Sequence, residues 1–282
     1  MHVSSSKTTK KITWKGREYN PHHVIVIVHS SVYSCERRNL IRKTWARDQK
    51  WLPIKVLFLI GISNHPANTS QESSCANESQ NNSDLLQENF IDTYNNLTLK
   101  SMFMLKYLVK SAEDLGMKYA MKVDDDSYIN LPRLLDYITI IEKRCQHKCI
   151  VGHVLGPSSP VLRPRDPTLD FTQKWEVPTY IYPDNVYPNA VSGSGYIISQ
   201  DVVSCLYQNG LQTPFLNVED VFITGLAATK CHVTLKNSQW FSFMGKAAKM
   251  VKKQDILVHN VKTEEQMMEI HTRVSLMYGK SP

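Results

Sequence analysis

At 282 residues, with 42% apolar and 21% charged side chains, the chain has a globular composition and can bury a real core in one large domain or two small ones, which excludes a disordered or fibrous polypeptide. Its net charge of +7 comes from lysines and arginines spread along the chain; apart from Lys246, Lys249, Lys252 and Lys253, a solvated face, there is no basic run. No aromatic interleaving or groove-reading motif accompanies them, so a nucleic-acid partner is not expected.

Met1 to Tyr19 is polar and lysine-bearing, and residues 1–20 read as the remnant of a flexible stem, with 21–282 as a single domain. His23 to His29 is a buried strand by its β-branched run. A basic helix, Glu36 to Ala46, follows with Arg37, Arg38, Arg42 and Lys43. A strand leading into a basic helix suits an anion, and a solvent-facing amphipathic helix explains it equally well. Ile54 to Ile60 is a second buried strand closed by Gly61. Glycosylation sequons then begin at Asn68, Asn77 and Asn81 in a Ser/Asn/Gln-rich stretch, with a fourth at Asn96. Leu97 opens a long helix with Met104, Leu105, Leu108, Ala112 and Leu115 on one face, ended by Gly116.

Tyr119 to Leu131 is the stretch around which the chain is organised. An apolar approach through Lys122 and Val123 delivers Asp124, Asp125 and Asp126. In extended chain Asp124 and Asp126 point the same way, about 6.5 Å apart, and Asp125 points oppositely. The outer pair suits a hard divalent cation, and Asp125 is left for another ligand. A solvated acidic turn is the plainer alternative. An EF-hand is excluded because its sixth and twelfth positions fall on Ile129 and Leu135, or on Leu131 and Tyr137. A strand ending in Asp-x-Asp also opens aspartyl-phosphate phosphatases, although Tyr128 stands where that class prefers a small hydroxyl residue.

Asn130 and Pro132 start the next helix, to about Arg144. Strand and helix in alternation predict an α/β fold with a mostly parallel sheet covered on both faces and ligands at its carboxyl edge. No glycine-rich dinucleotide or P-loop motif follows any strand. Pro157 to Pro188 is proline-rich and carries Trp175, Tyr180, Tyr182 and Tyr187, aromatics suited to a sugar platform or to packing on the core. Ser192-Gly-Ser-Gly-Tyr196 permits close backbone approach by a ligand, or a tight bend. A short helix, Asp201 to Asn209, stops at Gly210, and Glu219 and Asp220 open an apolar helix through Thr229, where the dipole alone favours acids. Asp255 to His259 is a short strand, and Thr263 with Gln266 makes a capping box for the last helix. Six cysteines at even parity point to disulfides in an oxidising compartment. Cys145–Cys149 and Cys205–Cys231 are the expected pairs, leaving Cys35 with Cys75. The longest clean apolar run, Val24 to Val28, is far short of the ~20 residues a spanning helix needs.

In order, Arg38-Asn-Leu-Ile-Arg42-Lys-Thr-Trp45, Phe58-Leu-Ile-Gly61, Phe90-Ile-Asp-Thr-Tyr-Asn-Asn-Leu-Thr-Leu-Lys100, Lys122-Val-Asp-Asp-Asp126, Lys174-Trp175, Tyr187-Pro188, Ser192-Gly-x-Gly-Tyr196, Glu219-Asp220 and the late His259 resemble the motifs of the β-1,3-glycosyltransferase family. The resemblance spans roughly His22 to Met277. It implies a GT-A nucleotide-sugar-binding fold and an inverting transfer of galactose or an N-acetylhexosamine from a UDP-sugar to the 3-hydroxyl of an acceptor glycan on a glycoprotein or glycolipid. It further implies a Mn2+ cofactor and a Golgi-lumenal enzyme whose membrane anchor precedes Met1.

By that resemblance Asp220, with Glu219 as alternate, is the base, and Asp126, Asp124 and His259 hold the metal. Arg38, Arg42, Lys100 and Asp125 serve the donor, while Trp175, Ser192, Gly193 and Gly195 serve the acceptor. Asn189-Ala-Val191 and Thr224 depart from the family pattern on the presumed acceptor side. A lumenal protein of the same fold that binds UDP-sugar or glycan without turnover is the alternative.

Overall fold

The structure, a computed structural model, describes residues 11–63, 75, 77–145, 147–156, 159–164 and 173–279. It opens with a hairpin, β1 (Ile12–Trp14) and β2 (Arg17–Tyr19), turned at Lys15 and Gly16, both at positive φ. The hairpin lies within residues 1–20, the stretch expected to be a stem, of which 1–10 fall outside the described residues. The Trp14 indole donates to Asp136 at 3.1 Å, Arg17 pairs with Glu142 at 2.6 Å, and Tyr19 is buried.

Next come β3 (Val24–His29), α1 (Cys35–Lys43), a 3-10 segment (Trp45–Trp51), β4 (Ile54–Ile62), the short α2 (Glu78–Asn81), β5 (Leu85–Ile91) and α3 (Leu97–Leu115). After α3 the chain forms β6 (Tyr119–Asp124), β7 (Tyr128–Ile129), α4 (Leu131–Arg144), β8 (Cys149–Leu155), β9 (Ala190–Ser199) and α5 (Gln200–Leu211). A π-helix (Val221–Ala227) runs into α6 (Ala228–Lys230), followed by β10 (Thr234–Asn237), β11 (Phe241–Ser242), β12 (Leu257–Val258) and α7 (Glu264–Met277).

Seven strands form the central sheet in the order β10-β8-β9-β6-β3-β4-β5. All run parallel except β9, which lies antiparallel between β6 and β8. The expected mostly parallel α/β architecture with both faces covered is what the chain adopts. Val24, Val26 and Val28 of β3 face one core, beneath residues of α1, α4 and α7; Ile25 and Ile27 face the other, beneath α3, α5 and the π-helix. This is the period-2 alternation of a strand buried on both sides. A small second sheet, β11-β12-β7, flanks the carboxyl edge.

Asn130 caps α4 by accepting from Arg133 N–H, and Thr263 and Gln266 close a full capping box on α7. Gly116, at φ +62°, ends α3 as expected. Two glycines were misread as stops. Gly61 lies inside β4, where a Cβ would strike Phe90. Gly210 lies inside α5 because a side chain there would strike Met102 of α3. Helix contact, not termination, is its physical reason. The three disulfides pair as expected: Cys35–Cys75, Cys145–Cys149 and Cys205–Cys231.

Candidate active site

β6 carries the acidic stretch to the carboxyl edge, but the chain does not stay extended there. Ser127 N–H donates to the Asp124 carbonyl at 3.2 Å, so a tight turn folds Asp126 back towards Asp124. Trp45, 1% exposed, braces the turn from behind with its indole N–H 3.1 Å from the Ser127 carbonyl. Arg37 clasps it from the side. Its Nε donates to the Asp125 carbonyl at 2.8 Å, while its other nitrogens reach the carbonyls of Val261 and Lys262. Val261 N–H donates to the Asp126 carbonyl at 2.8 Å, which completes the union with the segment after β12.

That segment presents His259, whose Nε2 lies 3.2 Å from Asp126 Oδ1 and 4.0 Å from Asp124 Oδ2. Ligand atoms of Asp124, Asp126 and His259 all fall within 4.8 Å of one another. His259 Nδ1 is 2.8 Å from the Phe243 carbonyl. A carbonyl only accepts, so Nδ1 carries the proton, and in the neutral ring Nε2 turns its lone pair towards the aspartates. Burial lowers the His259 pKa, but Asp126 outweighs it and holds the imidazole above its ordinary range. The carboxyl of Asp126 lies below its usual range because His259 and Arg37 overcome the effect of burial. Its Oδ1 is shielded from solvent and makes no well-aligned hydrogen bond. Two hard oxygens and one imidazole in an environment that holds positive charge are a donor set that fits a divalent ion such as manganese.

Behind this set lies Lys122, on a strand whose neighbours are apolar. Its side chain, 3% exposed, donates to Asp124 Oδ1 at 2.6 Å and to the Gly193 carbonyl, with Glu219 Oε2 3.7 Å away. Burial alone lowers its pKa; Asp124 and Glu219 reverse this and keep the ammonium firmly charged. Glu219 is buried and also accepts from Ser101 and Tyr196. Asp220 sits beside it at the mouth of the π-helix, a helix type that concentrates at functional sites. It takes the N–H groups of Val221 and Gly193, each at 2.9 Å. Burial raises the pKa of both Glu219 and Asp220, the direction that suits a proton acceptor near neutrality.

Several expected roles are corrected by these positions. Arg38 is fully buried in a fork onto Glu78, and Arg42 pairs with Glu78 at 2.7 Å and with Asp84 at 2.7 Å. Lys100, 2% exposed, is committed to Asp92 at 2.6 Å and to the Ser30 carbonyl at 2.7 Å. All three cations are spent inside the protein on carboxylates rather than held out to a donor. Asp125 is less free than expected, since Ser30 Oγ donates to its Oδ2 at 2.7 Å and Arg38 in turn donates to Ser30.

Of the residues expected to serve the acceptor, Ser192 is buried against Ser194, and a Cβ at Gly195 would strike Leu257, so packing explains both. Gly193 of that motif borders Asp220 and donates its N–H to it. Trp175 stands at the rim, 38% exposed, its indole donating to the Tyr94 hydroxyl at 2.6 Å, with Lys174 over both rings. The two departures from the family pattern meet, because Val191 N–H donates to Thr224 Oγ1 at 2.7 Å inside the core.

Of the sequons, Asn68 lies outside the described residues, and Asn77 and Asn81 are exposed. Asn96 spends its amide on the Ile91 carbonyl, and Thr98 of its sequon is fully buried on Leu216. Sequence reasoning did not give a role to Lys122, Arg37, Asp92, Ser30 or Tyr94. Only Lys122 carried a signal, as a charge inside an apolar strand.

Glu78 yields a pH prediction. Burial raises its pKa, but Arg38 and Arg42 win and hold it below the usual glutamate value of 4.5. Its stabilising contribution is complete above that value and is lost as pH falls through the depressed folded value. Unfolding temperature should therefore change little from this network between pH 7 and 5 and drop below pH 4.5, and Glu78→Gln should flatten that drop while lowering stability at pH 7. An equal acid slope in both proteins would show that Glu78 is not responsible.

Fold and site together define an α/β protein whose sheet edge joins a carboxylate–histidine ligand set to a buried lysine and a pair of sequestered acids. A model of the galactosyltransferase family matches residues 36–239. The chain is 29% identical over 251 residues to mouse beta-1,3-galactosyltransferase 1, covering 88% of this chain and 73% of that one. It is 30% identical over 220 residues to human beta-1,3-galactosyltransferase 5, covering 77% and 66%. Among solved structures, a glycosyltransferase involved in glycosylation of the major capsid of PBCV-1 aligns with 88% of this chain and 98% of that one at 9% identity and a TM-score of 0.42. The chain belongs to the galactosyltransferase family, and it is a glycosyltransferase. No described helix is long and apolar enough to cross a membrane.

Proposed function

We propose that the protein is an inverting, manganese-dependent β-1,3-glycosyltransferase of GT-A type that moves galactose, or an N-acetylhexosamine, from a UDP-sugar to the 3-hydroxyl of an acceptor glycan. The observation that carries this reading is the linkage of a candidate cation site and a candidate base through one ammonium: Lys122 donates to Asp124 of the Asp124, Asp126 and His259 group and to the Gly193 carbonyl, and Gly193 N–H donates to Asp220. Asp124, Asp126 and His259 would hold Mn2+, whose charge supplies stabilisation for a departing diphosphate. Asp220 takes the proton of the attacking hydroxyl. Each carboxylate oxygen has two lone pairs, so the two backbone N–H bonds fix its orientation and still leave room to accept.

Asp125, steadied by Ser30, is placed to receive a donor hydroxyl, and Arg38, Arg42 and Lys100 keep the strand ends rigid beneath it. Trp175, tethered by Tyr94, forms the acceptor wall. Its loss in Trp175→Ala should raise the acceptor KM about three- to tenfold, the worth of one aromatic contact, with the donor KM within twofold; an unchanged acceptor KM would remove this role. Asn77 and Asn81 are the sequons placed to carry glycans. The compartment in this reading is the Golgi lumen, an oxidising setting that suits the three disulfides. Screening UDP-galactose, UDP-N-acetylglucosamine and UDP-N-acetylgalactosamine against simple acceptors, with and without manganese, tests the reading. Product formation with none of them, despite UDP-sugar binding, would turn it into a glycan- or nucleotide-binding protein.

A further inference from the structure

The proposed chemistry leaves Lys122 without a part, yet this side chain joins its two halves. It donates to Asp124 at 2.6 Å, lies 3.7 Å from Glu219, and also holds the carbonyl of Gly193, whose own N–H orients Asp220. We infer that Lys122 is a positioning residue that couples the cation site to the base, setting both the affinity of the site for its cation and the aim of Asp220; this rests on the metal and base roles proposed above.

Two consequences follow from its contacts. By occupying Asp124 Oδ1, Lys122 leaves Oδ2 as the oxygen turned towards His259. Its charge also stands beside the place of a second, doubly charged ion and repels it. Cation affinity in the native protein is thereby held down, and the geometry needed for turnover is gained. Glu219 modulates the same effect, because it lies 3.7 Å from the ammonium and neutralises part of it without being a ligand.

The test is direct Mn2+ binding, read by the paramagnetic resonance signal of free Mn2+, alongside steady-state transfer by the whole chain. Lys122→Met should bind Mn2+ about tenfold more tightly because one nearby positive charge is gone, and its kcat should fall about a hundredfold because Asp124 and Asp220 lose their shared anchor. A side chain that merely supported the fold would weaken both together. Glu219→Gln should shift Mn2+ affinity the other way, weakening it several-fold, and it adds no buried charge, so it decides the matter even if Lys122→Met does not fold. Unchanged Mn2+ affinity in Glu219→Gln, or weaker binding in a folded Lys122→Met, would overturn the inference while native binding and transfer persist. Absence of saturable Mn2+ binding by the native protein would instead overturn the metal reading, and this inference with it.

Discussion

Asp220→Asn should lower transfer at least about a thousandfold, near the upper end of what a general base supplies, while leaving UDP affinity within about twofold. The separation follows from the geometry. Asp220 is reached through the π-helix mouth and Gly193, whereas the candidate cation ligands belong to β6, the turn after it and the segment after β12. An amide cannot take up the proton, and when its nitrogen faces either backbone N–H it forfeits one of the two bonds that aim the group. Losing such a cap costs about 1 kcal/mol of stability, too little to unfold an ordinary domain. Circular dichroism and isothermal titration with UDP therefore accompany the rate measurement. Loss of UDP binding in step with activity would show that Asp220 only holds the π-helix in place.

Exhaustive chelation should abolish transfer and manganese should restore it, whereas Asp126→Ala should stay inactive by about three orders of magnitude or more at any manganese concentration, the scale of removing a charge-stabilising metal. UDP binding should fall with activity here, the opposite pattern to Asp220→Asn. Asp126 is the sharpest choice because its Oδ1 faces His259 and is shielded from water without a well-aligned partner. Turnover that survives chelation would remove the metal from the mechanism and leave the three residues as an ion pair.

Much of the fold was legible because local signals and tertiary structure agree. The β-branched runs of β3 and β4, Gly116 after α3, Asn130 before α4 and the Thr263–Gln266 box each specify an element from within a few residues. The insertion of β9 as the one reversed strand was not legible, since strand order is decided by pairings far apart in sequence.

The candidate site was legible as residue types and misread as directions. Arg38 and Arg42 looked available to a donor because their partner Glu78 lies 40 and 36 residues on, across a polar stretch that carried no sign of a buried carboxylate. A sequence displays a charge but not the charge that cancels it. The acidic trio was read as extended chain, yet a turn held by Trp45 and Arg37 brings its outer members together.

The wide-turned helix after Asp220 carries a further implication. Seven consecutive residues, Val221–Ala227, bond with i+5 rather than i+4 periodicity, and Thr224 and Gly225 in its middle are packed against Val191 and Pro188. Each residue of an ordinary helix advances about 100° around its axis. Winding the same seven residues at the ordinary pitch would turn the carboxylate round the axis relative to the packed face. The aim of the Asp220 carboxylate is thus tied to the winding of the helix as well as to the identity of its residues.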